Sequence, residues 1–230
     1  MMHIHEESEL TPGQSAPTVG VLALQGGVAE HLAMLESLGA RAVRVRSVFD
    51  LLGDDGAPAV DALVLPGGES STMDRLCRTF GLFEPLQRVI RAGLPTLGTC
   101  AGLIMLSTRI ADPAPGQQSL GVLDVTVDRN AFGSQVDSAE VSLPWSGTAG
   151  HARSDDDAAA APSGVVRAAF IRAPSVTAVG DGVEVLARYR DTVVAVRQAN
   201  VLGISFHPEL MGETTVHEEL LNMVRVGANA

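Results

Sequence analysis

A cysteine stands between two glycines in Gly98-Thr99-Cys100-Ala101-Gly102, after one apolar run and before another. The pattern G-x-C-x-G suits a sharp strand-to-helix turn, because small flanking residues let the backbone approach closely while the central side chain points out of the sheet. A helix opening at Ala101 would turn unpaired N–H groups toward the sulfur, favouring thiolate and offering an oxyanion donor. The chemistry open to such a residue is nucleophilic attack on an acyl carbon. The same five residues can also be read as the surroundings of a buried structural thiol. Cys77, in STMDRLCRTFG, has no such frame and reads as a small apolar packing residue.

A thiol nucleophile needs a base, and the base needs an orienting group. His3 and His5 lie in an N-terminal tail, His151 in a polar stretch, and His31 and His217 on predicted helices, where packing or solvation is the default. His207 differs, because it follows the apolar run VLGISF and so stands at a strand end. Pro208 restrains it to extended geometry. Residues two apart in His207-Pro208-Glu209 then point to the same side, so Glu209 can hold the tautomer of His207 while His207 serves Cys100. Two such strand-end motifs can meet at the carboxyl edge of one sheet.

The elements that must position them follow a regular rhythm. VGVLAL (19–24) reads as a strand, and VAEHLAMLESLG as a helix with Val28, Leu32, Leu35 and Leu38 on one face and Gly39 as its stop. ARAVRVRS and DALVLPGG (61–68) read as two further strands, with a helix from about Ser71 to Phe80 after the second. PTLGTC is the fourth strand and AGLIMLSTRI its helix. Repeated β-turn-α units mean a parallel sheet with helices on both faces. The later half is strand-rich: LGVLDVTVDRN, SAEVSLPW, VVRAAFIRAP, VEVLARYR and TVVAVRQANVLGISF, closed by a helix at about Thr214 to Val226. The expected architecture is a mixed sheet, parallel early and antiparallel late. Residues 1–17 read as a disordered tail, 18–227 as a single domain, and 144–163 as an exposed, flexible insertion rich in Gly, Ala, Ser and Asp.

Composition narrows the function. A net charge of −11 argues against a binder of phosphate backbones, and 3% aromatic content against a stacking platform for single strands. Two cysteines make no disulfide framework, and no CxxC or Cys/His cluster suggests zinc, so a reduced cytoplasmic setting is expected. The polar, acidic start is no signal peptide, and no apolar run is long enough to span a bilayer. QGG at 25–27 is not a dinucleotide fingerprint, since GxGxxG is absent.

Taken together, Cys100, His207 and Glu209 resemble the triad of the class I glutamine amidotransferases. GVLALQGGVAEH, LPGGESSTMDRL, GTCAGLIML, DRNAFGSQVDS, FIRAP and SFHPEL are similar, in order and from Gly20 to Leu210, to the glutaminase subunit of pyridoxal 5′-phosphate synthase. The resemblance implies a three-layer, flavodoxin-like mixed sheet with helices on both faces and an amidohydrolase needing no cofactor and no metal. It implies Cys100 as nucleophile, His207 as base and Glu209 as its partner. It also implies glutamine binding by Gly68, Glu69, Ser70, Arg129, Ile171 and Arg172, with the N–H groups of Gly68 and Ala101 as oxyanion donors. Gln25 and Gly26 fall near the oxyanion loop and partner surface. Without the resemblance, PGGES is an ordinary turn capped by Ser70 or Ser71, and Arg129 and Arg172 are solvated charges.

The implied substrate is L-glutamine, hydrolysed through a glutamyl thioester. The implied partner is a barrel-shaped synthase subunit, in a hetero-oligomer, that builds pyridoxal phosphate from a pentose phosphate and glyceraldehyde 3-phosphate. No nucleic acid and no membrane is implied. Three features depart from the family pattern: the tail, the long 144–163 segment, and Ala131 and Ser134, where Ser and Arg are frequent. Alternatives are a glutaminase serving another synthase, such as the one making imidazole glycerol phosphate, or a non-catalytic module of the same fold.

Overall fold

The computed structural model describes residues 15–129, 139–147 and 164–227. Strands β1 (Thr18–Leu22), β2 (Arg41–Val45), β3 (Ala62–Leu65) and β4 (Thr96–Thr99) alternate with helices α1 (Val28–Ser37), α2 (Val48–Leu51), α3 (Ser70–Thr79) and α4 (Phe83–Arg91). Cys100 alone separates β4 from α5 (Ala101–Leu106). Then come β5 (Ser107–Ile110), β6 (Leu123–Asp128), β7 (Ala139–Trp145), β8 (Gly164–Phe170), β9 (Ser175–Val179), β10 (Glu184–Tyr189), β11 (Thr192–Gln198) and β12 (Val201–Ile204). A 3-10 turn, Pro208–Met211, and helix α6 (Thr215–Gly227) end the described chain.

The large sheet has the order β2-β1-β3-β4-β12-β11-β9-β6-β5, with β10 beside β11, while β7 and β8 form a separate hairpin. From β2 to β12 all pairs are parallel, and β11 pairs antiparallel with β12, β9 and β10. This is the expected division, with one rearrangement: the last strand, β12, sits in the parallel half beside β4. The pleat sends alternate residues to opposite faces. Leu63 and Leu65 join a core with Met73, Cys77 and Leu86 from α3 and α4, while Ala62 and Val64 join another with Leu32 and Leu35 of α1 and Leu220 of α6. Each large aliphatic side chain fully buried in these layers contributes roughly 1.5–3 kcal/mol.

Several expectations need correction. The helix after Cys100 stops at Leu106, and Ser107–Ile110 is a strand paired with β6. The β-branched Thr108 and Ile110 favour that outcome. Helix α4 escaped the reading because Pro85 sits inside it, but Pro85 lies in the first turn, where its missing N–H has no intrahelical acceptor to lose. The single turn α2, closed by a Ser47–Asp50 capping box, and strand β9 were not expected either. The segment expected as an insertion from 144 begins instead inside β7. Pro144 pairs with Val165 and Trp145 with Gly164, and Trp145 is fully buried because Leu143-x-Trp145 continues the inward alternation. Residues 148–163, most of the tail, and Ala131 and Ser134 lie outside the described residues. Among the described residues no helix is long and apolar enough to cross a membrane.

Candidate active site

Cys100 holds a backbone conformation that L-residues rarely adopt, φ 48° and ψ −102°. Close packing over-determines it. A Cβ at Gly102 would overlap the Leu65 carbonyl, and one at Gly98 would press within 2.7 Å of the Gly102 carbonyl carbon. Strand β4 therefore reverses into α5 in the space of one residue. The Cys100 N–H donates to the Ile204 carbonyl at 2.8 Å, tying the elbow to β12. Cys100 occupies the N-cap of α5, but its side chain makes no capping hydrogen bond. Ala101 is the first helical residue, so its N–H is one of the donors that a helix cannot use internally. With six residues α5 is short, and these local N–H groups, rather than a long helix dipole, are what the elbow offers.

Two residues, Ser205 and Phe206, separate His207 from β12, and the His207 N–H donates to Ala169 of β8 at 3.1 Å. Its Nδ1 lies 2.8 Å from Glu209 Oε1. The expected extended geometry is corrected here: Pro208 opens a 3-10 turn, and that turn, not an extended strand, swings Glu209 back beneath the imidazole. Gly67 is the neighbour on the other side, where a Cβ would overlap the ring of His207. Burial opposes protonation of His207, but hydrogen bonds to Cys100 and Glu209 and their charges outweigh it, and the imidazole is pushed up to about 10. The protonated imidazole is thus the favoured form of His207. Cys77 is the opposite case, a thiol pushed up to about 12 by burial, with Asp74 adding to the effect.

Two cavities flank the sulfur, of about 360 and about 470 Å³, and Cys100, Gly68 and Arg172 line both. Glu69, Ser70 and Arg129 line the smaller; Ile171, His207 and Glu209 line the larger. The polar wall of the smaller cavity is internally tied. Arg129 donates to Glu69 Oε1 at 3.3 Å and to Gln117 Oε1 at 2.9 Å, and Gln117 donates to Ser70 Oγ at 3.0 Å. Glu69 itself, not Ser70 or Ser71, caps α3, accepting from Ser71 and Thr72. Burial works against its ionisation, yet the bonds from Ser71 and Thr72 hold its carboxyl down to about 2. Gln25 Oε1 accepts from the Glu69 N–H at 2.8 Å, and the Gly27 N–H donates to the Gly67 carbonyl at 3.1 Å, fixing the loop 67–69 against the turn 25–27. Arg172 has a left-handed φ of 47°, and Ile171 is exposed at the cavity mouth.

All the expected site residues thus gather around Cys100. Gln117 was not foreseen, and its loop carries no spacing signal. His31 and His217 were not foreseen either: both are fully buried, with His31 Nδ1 2.9 Å from His217 Nε2. A signal existed, since His31 is three residues from Val28 and four from Leu35, on the apolar face of α1. Burial, with the charges of His217 and His207, holds His31 well below its usual value, and burial pushes His217 down to about 4. Among the described residues no group of three or more His, Cys, Asp or Glu side chains is arranged to hold a metal ion.

The sheet order and the elbow define a class I glutamine amidotransferase fold, and a solved glutamine amidotransferase superposes on it with a TM-score of 0.76 at 41% identity, covering 90% of this chain and 98% of that one. PurLQS from Thermotoga maritima, 18% identical with a TM-score of 0.63 over 93% of this chain and 100% of its own, shares the fold. The model of the SNO glutamine amidotransferase family matches residues 21–226, and the chain belongs to that family. Pyridoxal 5′-phosphate synthase subunit PdxT of Acidothermus cellulolyticus is 50% identical over 224 residues, covering 95% of this chain and 99% of its own. The protein of the same name from Cutibacterium acnes is 50% identical over 216 residues, covering 91% and 98%.

Proposed function

We propose that residues 18–227 form a single glutaminase domain that hydrolyses L-glutamine to L-glutamate and ammonia and delivers the ammonia to a pyridoxal 5′-phosphate synthase subunit in a cytoplasmic hetero-oligomer. The observation that carries the reading is a cysteine on a strained elbow facing an imidazole locked at 2.8 Å onto a buried carboxylate. The Cys100 thiolate attacks the carboxamide carbon of glutamine. The oxygen of the tetrahedral intermediate takes hydrogen bonds from the Gly68 and Ala101 N–H groups. His207 gives its proton to the departing nitrogen, so the C–N bond breaks, ammonia leaves and a thioester remains. Neutral His207 then takes a proton from water as the hydroxyl attacks the thioester, and glutamate and thiolate are released.

Glu69, Ser70, Arg129 and Arg172 supply charged and hydrogen-bonding groups suited to the amino-acid end of glutamine, with Ile171 closing the mouth. The name carried by the 50%-identical relatives supports the synthase as ammonia acceptor, which would place the assembled complex among the lyases. Ammonia released into neutral water is protonated and loses its nucleophilicity, so delivery demands docking. The test is glutamate release from glutamine, with and without the cognate synthase subunit. Release that rises with the synthase is expected. Equal release in both would remove the partner, and none in either would overturn the glutaminase.

A further inference from the structure

Against Glu209 lies a second pair of imidazoles that the triad chemistry does not use. His31 of α1 and His217 of α6 are both fully buried, and their rings stand 5.1 Å apart between centroids. His31 Nε2 is 3.2 Å from Thr99 Oγ1, the residue before the nucleophile, and 3.5 Å from Glu209 Oε1, the oxygen that also meets His207. We infer that His31, held by His217, is a positioning residue that fixes the Glu209 carboxylate and through it the aim of His207. The inference rests on the triad proposed above and deepens it.

Hydrogen-bond accounting sets the tautomers. An ionised carboxylate only accepts, so the nitrogen facing it must carry the proton. His31 Nε2–H therefore points at Glu209 Oε1 and Thr99 Oγ1, leaving His31 Nδ1 as a bare acceptor. His217 Nε2–H fills it at 2.9 Å. That leaves His217 Nδ1 unprotonated, which agrees with its having no hydrogen-bond partner among the described residues. The reverse assignment would bury an unpaired N–H at His217 and set a bare nitrogen against a carboxylate, costing about 1–3 kcal/mol for the orphan donor alone. Glu209 Oε2 also has no partner among the described residues, so nothing there competes to turn the carboxylate away. The chain of contacts runs from one sheet face to the sulfur: His217, His31, Glu209, His207, Cys100.

The experiment is steady-state glutamine hydrolysis, with the cognate synthase present, by the full chain and by His31→Leu and His31→Gln, together with nitrogen NMR of the histidines. For His31→Leu we expect kcat to fall about tenfold with KM unchanged, the size of a hydrogen bond to a charged group at the long end of its range. In His31→Gln, whose amide offers one donor and one acceptor, kcat returns toward wild type. The His207 Nδ1 proton signal shifts in the Leu variant and returns in the Gln variant. In the wild type, His31 and His217 are both protonated on Nε2. Wild-type kcat in folded His31→Leu, or a proton on His31 Nδ1 in the wild type, would overturn the inference. Should the Leu variant not fold, the wild-type tautomers decide. Absence of hydrolysis in the wild type would overturn the glutaminase instead, and the tautomer measurement stands apart from it.

Discussion

The two sides of Cys100 are built by different means. Toward His207 the side chains are nearly closed to solvent, 13% exposed for His207, 1% for Glu209 and none for His31, and each is fastened to a strand, a turn or a helix. Toward Glu69 and Arg129 the exposure rises to 48% and 18%, and the groups are fastened to the first turn of α3 and to one another. Proton transfer depends on fixed heavy-atom distances in a low dielectric, which suits the buried side to the role proposed for it. A pocket that must admit and release a zwitterion from water is better served by solvated groups at loop ends.

Four measurements break or sharpen that contrast. Cys100→Ala should lower glutamate release by at least about a thousandfold while far-UV circular dichroism stays unchanged. Gly67→Ala puts a methyl where the His207 ring lies, so the base must move and kcat should fall about a hundredfold with substrate affinity retained. On the buried side, stability should depend on pH with a definite sign. His217 stays neutral in the native state down to about 4, whereas its ordinary value is 6.5, so the unfolded chain binds the extra proton and stability drops as pH falls from 6.5 to about 4. His207 acts in the opposite sense: its protonated form stabilises the fold below 6.5, and that contribution is lost as pH rises to about 10. Thermal melts across this range should therefore show a maximum near 6.5, with the acid limb flattened in His217→Gln. On the exposed side Arg129→Ala should raise KM for glutamine severalfold yet change stability by less than about 1 kcal/mol, the usual size of an exposed ion pair.

Much of this was legible in the sequence. The elbow showed because its glycines are demanded by two close approaches, at Leu65 and within α5, and such demands leave a local pattern. The β-turn-α rhythm showed because strands buried on both faces are continuous apolar runs. His207 and Glu209 do meet, but by another geometry than the expected one, since a 3-10 turn opened by proline is not readable from extended-chain spacing. The partners formed by tertiary contact stayed hidden. Gln117 meets Ser70 across 47 positions, and His31 meets His217 across 186, and neither distance leaves a local trace. The β5 strand was hidden for a related reason: Thr108 and Ile110 favour a strand only weakly by themselves, and pairing with β6 completes the choice of where α5 ends.

The place of β12 has a consequence for how the protein is made. The proposed nucleophile follows β4 and the proposed base follows β12, and the two strands are neighbours, with Ile204 paired to Thr99. A ribosome delivers Cys100 more than a hundred residues before His207. A nascent chain that stops before Val201 therefore lacks both the strand that joins the two halves of the sheet and the base that works on the thiol. If the proposed triad is the machinery, premature products are inert toward glutamine, and the capacity to release ammonia arrives only with a completed sheet.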